Sequence, residues 1–301
     1  MDSQQNHIGQ IWSDRYDQKR KTPARTGWSH SARVINAITQ RICDIPCSSI
    51  REAIARLIKK ISPDLPYSNG ISVGCGVGDK EMDLIEQGIV SHFDCYEFSV
   101  KAVEEGNKEA VARGLKNAIS FHNKDAFKED FSSGCYDFVY WDNAMHHMND
   151  TYEAMRWSKK LLAKRGCFFM YDYVGPSRFQ WTEEQMDIVK HILESLDDRY
   201  FLIPGSEYMW KKEPSRMTIE EMLRADPSEA ADSDNILAAF AEHFEKGTTI
   251  PLGGLIYVLA LDGILVNIPE ESTLLGHMLK LDAMLSKKGH NYYAVSYYIN
   301  A

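Results

Sequence analysis

The sequence predicts an α/β fold built on a parallel sheet that is covered by helices on both faces. From residue 70 to residue 173, five short runs of apolar and aromatic residues alternate with stretches of helical periodicity. Strands and helices at this spacing specify right-handed strand–helix–strand units, which build a parallel sheet. The composition agrees, since 44% of the 301 residues are hydrophobic and 26% are charged, as in ordinary globular domains.

The residues before the first strand are predicted to be helical. Helical spacing covers residues 8–16, a second helix is expected at residues 31–43, and a third is expected at residues 49–61. Ser49 and Glu52 have the spacing of a capping box at the start of the third helix. Turn-forming residues follow, and they predict a boundary between an N-terminal helical cap, residues 1–62, and a sheet domain, residues 63–301.

The five strand runs are predicted at residues 71–73, 93–97, 118–122, 136–141 and 167–173. Helices are expected between them at about residues 81–87, 100–113 and 152–162, each ended by turn residues. Beyond residue 175 the rhythm breaks, and capping boxes predict helices that begin at Thr182 and Thr218. Residues 175–240 are therefore interpreted as a helical and loop insertion. Later strands are predicted at residues 248–250 and 291–299, the last one at the sheet edge.

Charge and composition exclude several classes of partner and location. The chain carries 34 Lys and Arg against 43 Asp and Glu, a formal charge of −9, which repels phosphate backbones and disfavours nucleic acid. We expect no signal peptide and no membrane span, because the longest apolar stretch is broken by Asp262. The six cysteines are scattered and do not form the pattern of a disulfide framework, so a cytoplasmic protein is expected. The apolar run at residues 252–266 is a candidate helix interface for a homodimer.

The strongest local signal is a glycine-rich turn after the first strand. Gly74, Gly76 and Gly78 occupy alternate positions around Cys75, and glycines at a strand-to-helix turn let the backbone approach a bound cofactor. Glu97 ends the second strand about 20 residues later, the position from which an acid binds ribose hydroxyls. The alternative for the glycines is a purely structural turn, and the alternative for Glu97 is a solvated acid at a strand end.

Motifs on the later strands complete a pattern that resembles a known family. Asp125-Ala126-Phe127 follows the third strand, residues 136–147 form the fourth strand and its loop, and residues 161–170 contain a helix end, a turn and the fifth strand. In order and spacing, these motifs resemble class I S-adenosylmethionine-dependent methyltransferases over about residues 70–174. Residues 72–81, 173–181 and 226–230, together with Gly27-Trp28, are similar to a bacterial group that often accompanies surface-glycan or small-metabolite pathways.

The resemblance implies a Rossmann-like sheet, mostly parallel with an antiparallel terminal strand, and an acceptor side formed by residues 175–240. It implies S-adenosyl-L-methionine as the cofactor and S-adenosyl-L-homocysteine as the product. Many members have an acid at the position of Ser72 that orients the methionine amino group, and Glu81 is our substitute candidate. A first-turn acid favoured by the helix dipole is the alternative for Glu81. The other residues that the resemblance assigns to the cofactor are Gly74, Cys75, Gly76, Gly78, Glu97, Phe98, Asp125, Ala126, Asp142 and Asn143.

A hydroxyl acceptor benefits from proton removal, and histidine is the usual base near neutral pH. His146 and His147, just past the fourth strand, are the candidate bases, and Asp172 at the end of the fifth is a further catalytic candidate. The alternative is that the histidines cap the loop or pack under the cofactor. Candidate acceptor-binding residues, each with packing as the alternative, are Tyr173, Arg178, Trp181 and Trp28. No carboxylate pattern accompanies the histidine pair, so we expect no metal site.

Our leading hypothesis is methyl transfer from S-adenosylmethionine to a small molecule, with a hydroxyl of a sugar or glycan intermediate or a secondary metabolite as the acceptor. N- or C-methylation of a secondary metabolite is the alternative among methyltransferases. A non-catalytic partner that binds the cofactor and scaffolds another enzyme is a second alternative. A nicotinamide-dependent dehydrogenase is a third, and Asp142-Asn143 on the fourth strand speaks against it.

Overall fold

The computed structural model describes residues 9–14, 27–62 and 64–300. Residues 9–14 are helical. The longer helices are α1 (Ala32–Cys43), α2 (Ile50–Ile61), α3 (Asp79–Glu86), α4 (Val100–Ala112), α5 (Thr151–Leu161), α6 (Glu183–Ser195), α7 (Ile219–Ala225), α8 (Ile236–His243) and α9 (Thr273–Ser286). The strands are β1 (Tyr67–Val73), β2 (Val90–Tyr96), β3 (Ile119–His122), β4 (Tyr136–Asp142), β5 (Leu162–Tyr173), β6 (Thr248–Gly254) and β7 (Asn291–Ile299).

The strands form one sheet in the order β3-β2-β1-β4-β5-β7-β6. The first five are parallel, and β7 runs antiparallel to both of its neighbours. The predicted fold class, a mostly parallel sheet with an antiparallel terminal strand, is confirmed. The strand order reverses between β1 and β4, and in open α/β sheets the crevice outside such a switch point binds ligands.

One topological prediction is wrong: the terminal strand does not lie at the sheet edge. β6 pairs with its outer side, so β7 is enclosed between β5 and β6. A strand pattern reports burial of side chains, and it carries no information about which other segment completes the hydrogen-bond ladder.

The core lies on both faces of the sheet because successive strand residues point to opposite sides. On β4, Phe138 and Tyr140 belong to one buried cluster, whereas Val139 and Trp141 belong to the other. A parallel strand buried on both faces has a continuous apolar sequence. This explains why residues 136–141 predicted a strand without a polar–apolar alternation.

The N-terminal helices pack against the sheet and share its core. The Ser31 and Ser49 hydroxyls cap α1 and α2 by accepting the N–H groups of Val34 and Glu52. The apolar faces of α1 and α2 lie in the larger buried cluster with strand residues. The Glu52 carboxylate accepts from Ser48, so the predicted capping box is not reciprocal. Of the helix predicted at residues 8–16, residues 9–14 are helical and the rest lies outside the described residues. Residue 63 also lies outside them, and the domain boundary stays a prediction.

The insertion after β5 contains α6, α7 and α8, and complete capping boxes open α6 at Thr182 and α7 at Thr218, as predicted. Most of the apolar run at residues 252–266 packs inside the chain and does not offer the helix interface that we expected, and a homodimer stays a prediction. Leu252, Leu255 and Leu261 are fully buried in the chain's own core, so the run stabilises the fold itself. Within the described parts of the chain, no helix combines the length and apolarity needed to cross a bilayer.

Candidate active site

A cavity of about 460 Å³ opens at the carboxyl ends of the parallel strands, beside the switch point between β1 and β4. Its size is within the range of small-molecule sites, about 300–1,000 Å³. The glycine turn after β1, the acid after β2, the turn after β3 and the loop after β4 all reach it. The lining residues are Trp12, Val73, Gly74, Gly76, Tyr96, Glu97, Phe98, Lys124, Asp125, Ala126, Phe127, Asn143, Ala144, His147, Met148, Asn149, Asp150, Glu153 and Ser228.

The three glycines of the turn have positive φ angles but different surroundings. Gly74 and Gly76 line the cavity, and a Cβ atom at Gly76 would meet no described atom within 4 Å. A Cβ atom at Gly78 would come within 2.6 Å of the Phe121 ring on β3, so Gly78 allows close packing of α3. Neither Gly78 nor the buried Cys75 is among the described residues that line the cavity.

Glu97 connects the glycine turn to the start of α4. Its two carboxylate oxygens accept hydrogen bonds from the backbone N–H groups of Gly76, at 2.9 Å, and Ser99, at 2.8 Å. Burial raises the pKa of Glu97 above its ordinary value, although these N–H groups oppose the shift. Each carboxylate oxygen has a further lone pair, and the side chain lines the cavity, so it can also accept from a ligand's hydroxyl groups.

In the turn after β3, Asp125 caps a short helix by accepting the N–H of Phe127 at 3.0 Å. Asp125, Ala126 and Phe127 line the cavity together with Phe98. An acid, backbone groups and two aromatic rings thus surround one end, which suits a flat heterocycle with hydrogen-bonding edges.

Glu81 lies beneath the glycine turn and is 1% exposed. One carboxyl oxygen accepts a 2.6 Å hydrogen bond from Ser72 Oγ, and the other has no hydrogen-bond partner among the described residues. Burial raises the pKa of Glu81 to about 7, against the opposing charge of Lys80. Glu81 is not among the described lining residues, so the structure places the predicted substitute acid under the site.

Of the predicted pair at the end of β4, Asp142 lies outside the described cavity lining and Asn143 lies in it. The buried Asp142 carboxylate accepts from Tyr140 OH at 2.7 Å and from Lys80 Nζ at 3.1 Å, and it is absent from the described cavity lining. Asn143, with a φ of 54°, turns into the cavity. A buried, charge-paired aspartate stabilises the strand end, and it also accepts a 2.7 Å hydrogen bond from the side-chain amide of Asn143, the residue that lines the cavity.

The histidine pair forms a short helical turn, Met145–His147, that Asp172 holds in place. One oxygen of the fully buried Asp172 accepts from the N–H groups of Ala144 and Met145. The other lies 2.5 Å from His146 Nδ1. Burial opposes ionisation, but His146 and these N–H groups keep the pKa of Asp172 below its ordinary value. Asp172 therefore orients His146 and does not reach the cavity.

The two histidines have opposite electrostatic surroundings. Burial would lower the pKa of His146, but Asp172 and Glu229 outweigh it and raise the pKa to about 10. Burial and the neighbouring His146 lower the pKa of His147 to about 4. Of the two, His147 lines the cavity, and its ring lies edge-on to Trp12 with centroids 5.0 Å apart.

The predicted acceptor residues have structural contacts outside the described cavity lining. Arg178 donates to the carbonyls of Pro227 and Glu229 at 2.7 and 3.0 Å, and so holds residues 226–230 beside the histidines. Tyr173 packs edge-on against the Phe179 ring, and Trp181 stacks on the same ring. Trp28 packs against Tyr257 and Tyr293.

Sequence reasoning missed the contribution of residues 226–230 to the site. Ser228 lines the cavity and lies 3.3 Å from His147 Nδ1, and a Glu229 oxygen lies 3.4 Å from His146 Nε2. The conclusion that no carboxylate accompanies the histidine pair was therefore wrong, because the partner follows more than 80 residues later. The signal was present only as an unexplained Asp-Pro-Ser-Glu motif within the resemblance.

Comparisons with known proteins show which sequences and folds this chain resembles. A family model described as a methyltransferase domain matches residues 68–221, about half of the chain. The 27-O-demethylrifamycin SV methyltransferase of Amycolatopsis mediterranei (strain S699) is 24% identical over 44% of this chain and 49% of its own length. The probable chloroplastic tocopherol O-methyltransferase of Oryza sativa subsp. japonica is 25% identical over 53% of this chain and 44% of its own. The chain thus spans about half the length of these curated relatives.

Solved structures share the fold at low sequence identity. The geranyl diphosphate C-methyltransferase of Streptomyces coelicolor A3(2), solved with Mg²⁺, geranyl diphosphate and S-adenosyl-L-homocysteine, superposes with a TM-score of 0.55 at 12% identity, covering 100% of this chain and 98% of the other. The 4+2 cyclase SpnF superposes with a TM-score of 0.52 at 12% identity, covering 99% and 97%. These similarities establish the fold alone.

Proposed function

The chain belongs to the methyltransferase domain family, and from that premise we propose that it is an S-adenosylmethionine-dependent methyltransferase of small molecules. The observation that carries the proposal is the cavity at the switch point, where the glycine turn, Glu97 and the Asp125 turn converge on one space. The family model and the named methyltransferase relatives support the same activity.

The residues present fit the cofactor. Gly74 and Gly76 would let its polar chain approach the backbone, Glu97 would accept from the ribose hydroxyls, and Asp125 with the Ala126 backbone would contact the adenine edge. Asn143 would lie beside the methionine part. When bound, S-adenosylmethionine supplies a methyl carbon activated by its sulfonium, so the protein mainly orients the reactants and excludes water.

We propose a hydroxyl of a small molecule, such as a sugar or glycan intermediate or a secondary metabolite, as the acceptor. Both curated relatives are named for methylation at oxygen, which supports this choice. The acceptor would lie at the end of the cavity formed by His147 and Ser228, with Asp172 positioning the histidine turn. Imidazole at that end can act on a hydroxyl as a base or as the ligand of a metal ion.

Isothermal titration calorimetry with S-adenosylhomocysteine, with NADH in parallel, tests the cofactor assignment. We expect saturable binding of the former and none of the latter. Glu97→Gln keeps the side-chain shape but removes the charge-assisted hydrogen bond, worth about 1.5–3 kcal/mol, so affinity should fall roughly 10- to 150-fold. Glu104→Gln, at an exposed position of α4, is the matched control.

Two results would contradict the proposal in different ways. If the wild-type protein binds NADH and not S-adenosylhomocysteine, the cofactor assignment is wrong. If the Glu97 and Glu104 variants both bind as the wild type does, Glu97 has no ribose role. The rate at which S-adenosylhomocysteine is released is then compared for acceptors that offer a hydroxyl, an amine or a nucleophilic carbon, which distinguishes O-, N- and C-methylation.

A further inference from the structure

The histidine turn and the segment that Arg178 holds bring three metal-ligating side chains together. One ligand atom from each of His146, His147 and Glu229 can be chosen so that all three lie within 4.8 Å of one another. The two histidines follow β4, whereas Glu229 comes from the insertion, so the group is assembled by the tertiary fold. It borders the cavity through His147.

The hydrogen bonds of both imidazoles involve Nδ1, which makes Nε2 the candidate ligand atom of each ring. His146 Nδ1 bonds to Asp172 at 2.5 Å, and a carboxylate can only accept. The Ser228 hydroxyl donates to Asp226 at 2.6 Å, so at 3.3 Å from His147 Nδ1 it can only accept as well. Both Nδ1 atoms therefore carry the proton, and metal-binding histidines almost always donate their second N–H to such acceptors.

The spacing of His146 Nε2 and Glu229 Oε1 suits two ligands of one metal ion as well as an ion pair. The two atoms lie 3.4 Å apart, whereas a charge-assisted N–H···O bond spans about 2.7–2.9 Å. Two ligand atoms that are each about 2.1 Å from a tetrahedral ion lie about 3.4 Å apart. The distance is thus long for a hydrogen bond and suitable for two ligands of one cation.

We propose that His146 Nε2, His147 Nε2 and Glu229 bind a divalent transition-metal ion at the acceptor end of the cavity. Two imidazoles and one carboxylate suit zinc, iron(II) and related ions, whereas magnesium prefers an all-oxygen shell. Three protein ligands leave a coordination position open, as in catalytic metal sites. That position suits an oxygen of the substrate, a hydroxyl or a phosphate.

The role of the ion toward an acceptor rests on the proposed function, but metal binding does not. The experiment uses the full chain, stripped with EDTA, freed of chelator and titrated with Zn²⁺ by calorimetry and with Co²⁺ by visible absorption. We expect one equivalent to bind, with Co²⁺ d–d bands and no thiolate charge-transfer band. Glu229→Gln and Ser228→Ala should each weaken Zn²⁺ binding, the first at least 10-fold.

Matched variants exclude binding elsewhere. Cys43 and Cys47, with sulfurs 3.5 Å apart, are a competing pair of zinc ligands among the described residues, and Cys43→Ser should bind Zn²⁺ as the wild type does. Glu153→Gln, at another acid of the cavity wall, should also leave the affinity unchanged. Glu229 has a side chain that is 20% exposed, so its replacement by glutamine should preserve the fold, which circular dichroism checks.

The proposal is overturned if the wild-type protein takes up less than one equivalent, if Cys43→Ser abolishes uptake, or if Glu229→Gln binds as tightly as the wild type. The same preparations are titrated with S-adenosylhomocysteine. Cofactor binding without metal binding would overturn the metal site alone, and metal binding without cofactor binding would overturn the proposed function alone.

Discussion

Glu81 should make the stability of the protein depend on pH in a direction unusual for a carboxylate. Its side chain is buried under the glycine turn, and its pKa is raised from an ordinary 4.5 to about 7. A carboxyl group whose pKa is higher in the folded than in the unfolded chain favours folding while it is protonated. Its contribution is therefore fully present below about pH 4.5 and is lost as the pH rises through 7.

The size of the effect follows from the shift, since each pKa unit corresponds to about 1.36 kcal/mol. The difference between 4.5 and about 7 makes the folded state about 3 kcal/mol less stable at pH 8 than it would be with the group protonated. Glu81→Gln keeps a carbonyl oxygen that can accept from Ser72 Oγ but has no proton to lose. We expect this variant to lack the fall in stability between pH 5 and 8.

Urea denaturation at several pH values, followed by circular dichroism, measures the free energy of unfolding of both proteins. The difference between the two curves isolates Glu81, because all other groups are shared. Glu86→Gln, on the solvent side of the same helix, should retain the wild-type slope. Parallel curves for wild type and Glu81→Gln would refute the reasoning, since Glu81 would then be ionised in the folded protein at no cost.

Other predictions concern the glycine turn and the core. Gly76→Ala, at a φ of +61° with open space beyond it, should cost only about 1–2 kcal/mol of stability, yet weaken S-adenosylhomocysteine binding in calorimetry; unchanged affinity would contradict a cofactor at this turn. Gly78→Ala adds a clash with the Phe121 ring to the same backbone strain, so in thermal denaturation it should lose more stability than Gly76→Ala does. Equal losses of stability would show that α3 can shift. Phe168→Ala, at a fully buried position of β5, should cost about 3–5 kcal/mol in urea denaturation, and a loss under 1 kcal/mol would mean that the site collapses around the smaller residue.

Several local structures could be predicted because they depend on residues close together in the chain. The serine and threonine caps of α2, α6 and α7 lie where the sequence places them, since a cap needs only an oxygen and an N–H group two or three residues away. The glycine turn and the acid after β2 also lie where expected, because the strand-to-helix connection determines their positions at the switch point.

The site residues were predicted unevenly for the same physical reason. Gly74, Gly76, Glu97 and Asn143 follow strand ends directly, and all of them line the cavity. Glu81 and Asp142 were assigned by position along the chain, but burial and charge pairing keep them beneath it.

The sequence by itself determined the order of strands and helices, the glycine turn and the family, because these follow from periodicity and from interactions among neighbouring residues. Only the tertiary structure decided that β7 lies between β5 and β6, that Asp172 orients His146, and that Glu229 stands beside it. Contacts between residues so far apart form only when burial of the shared core offsets the entropy of closing the intervening chain. No local pattern records which distant partner that closure selects.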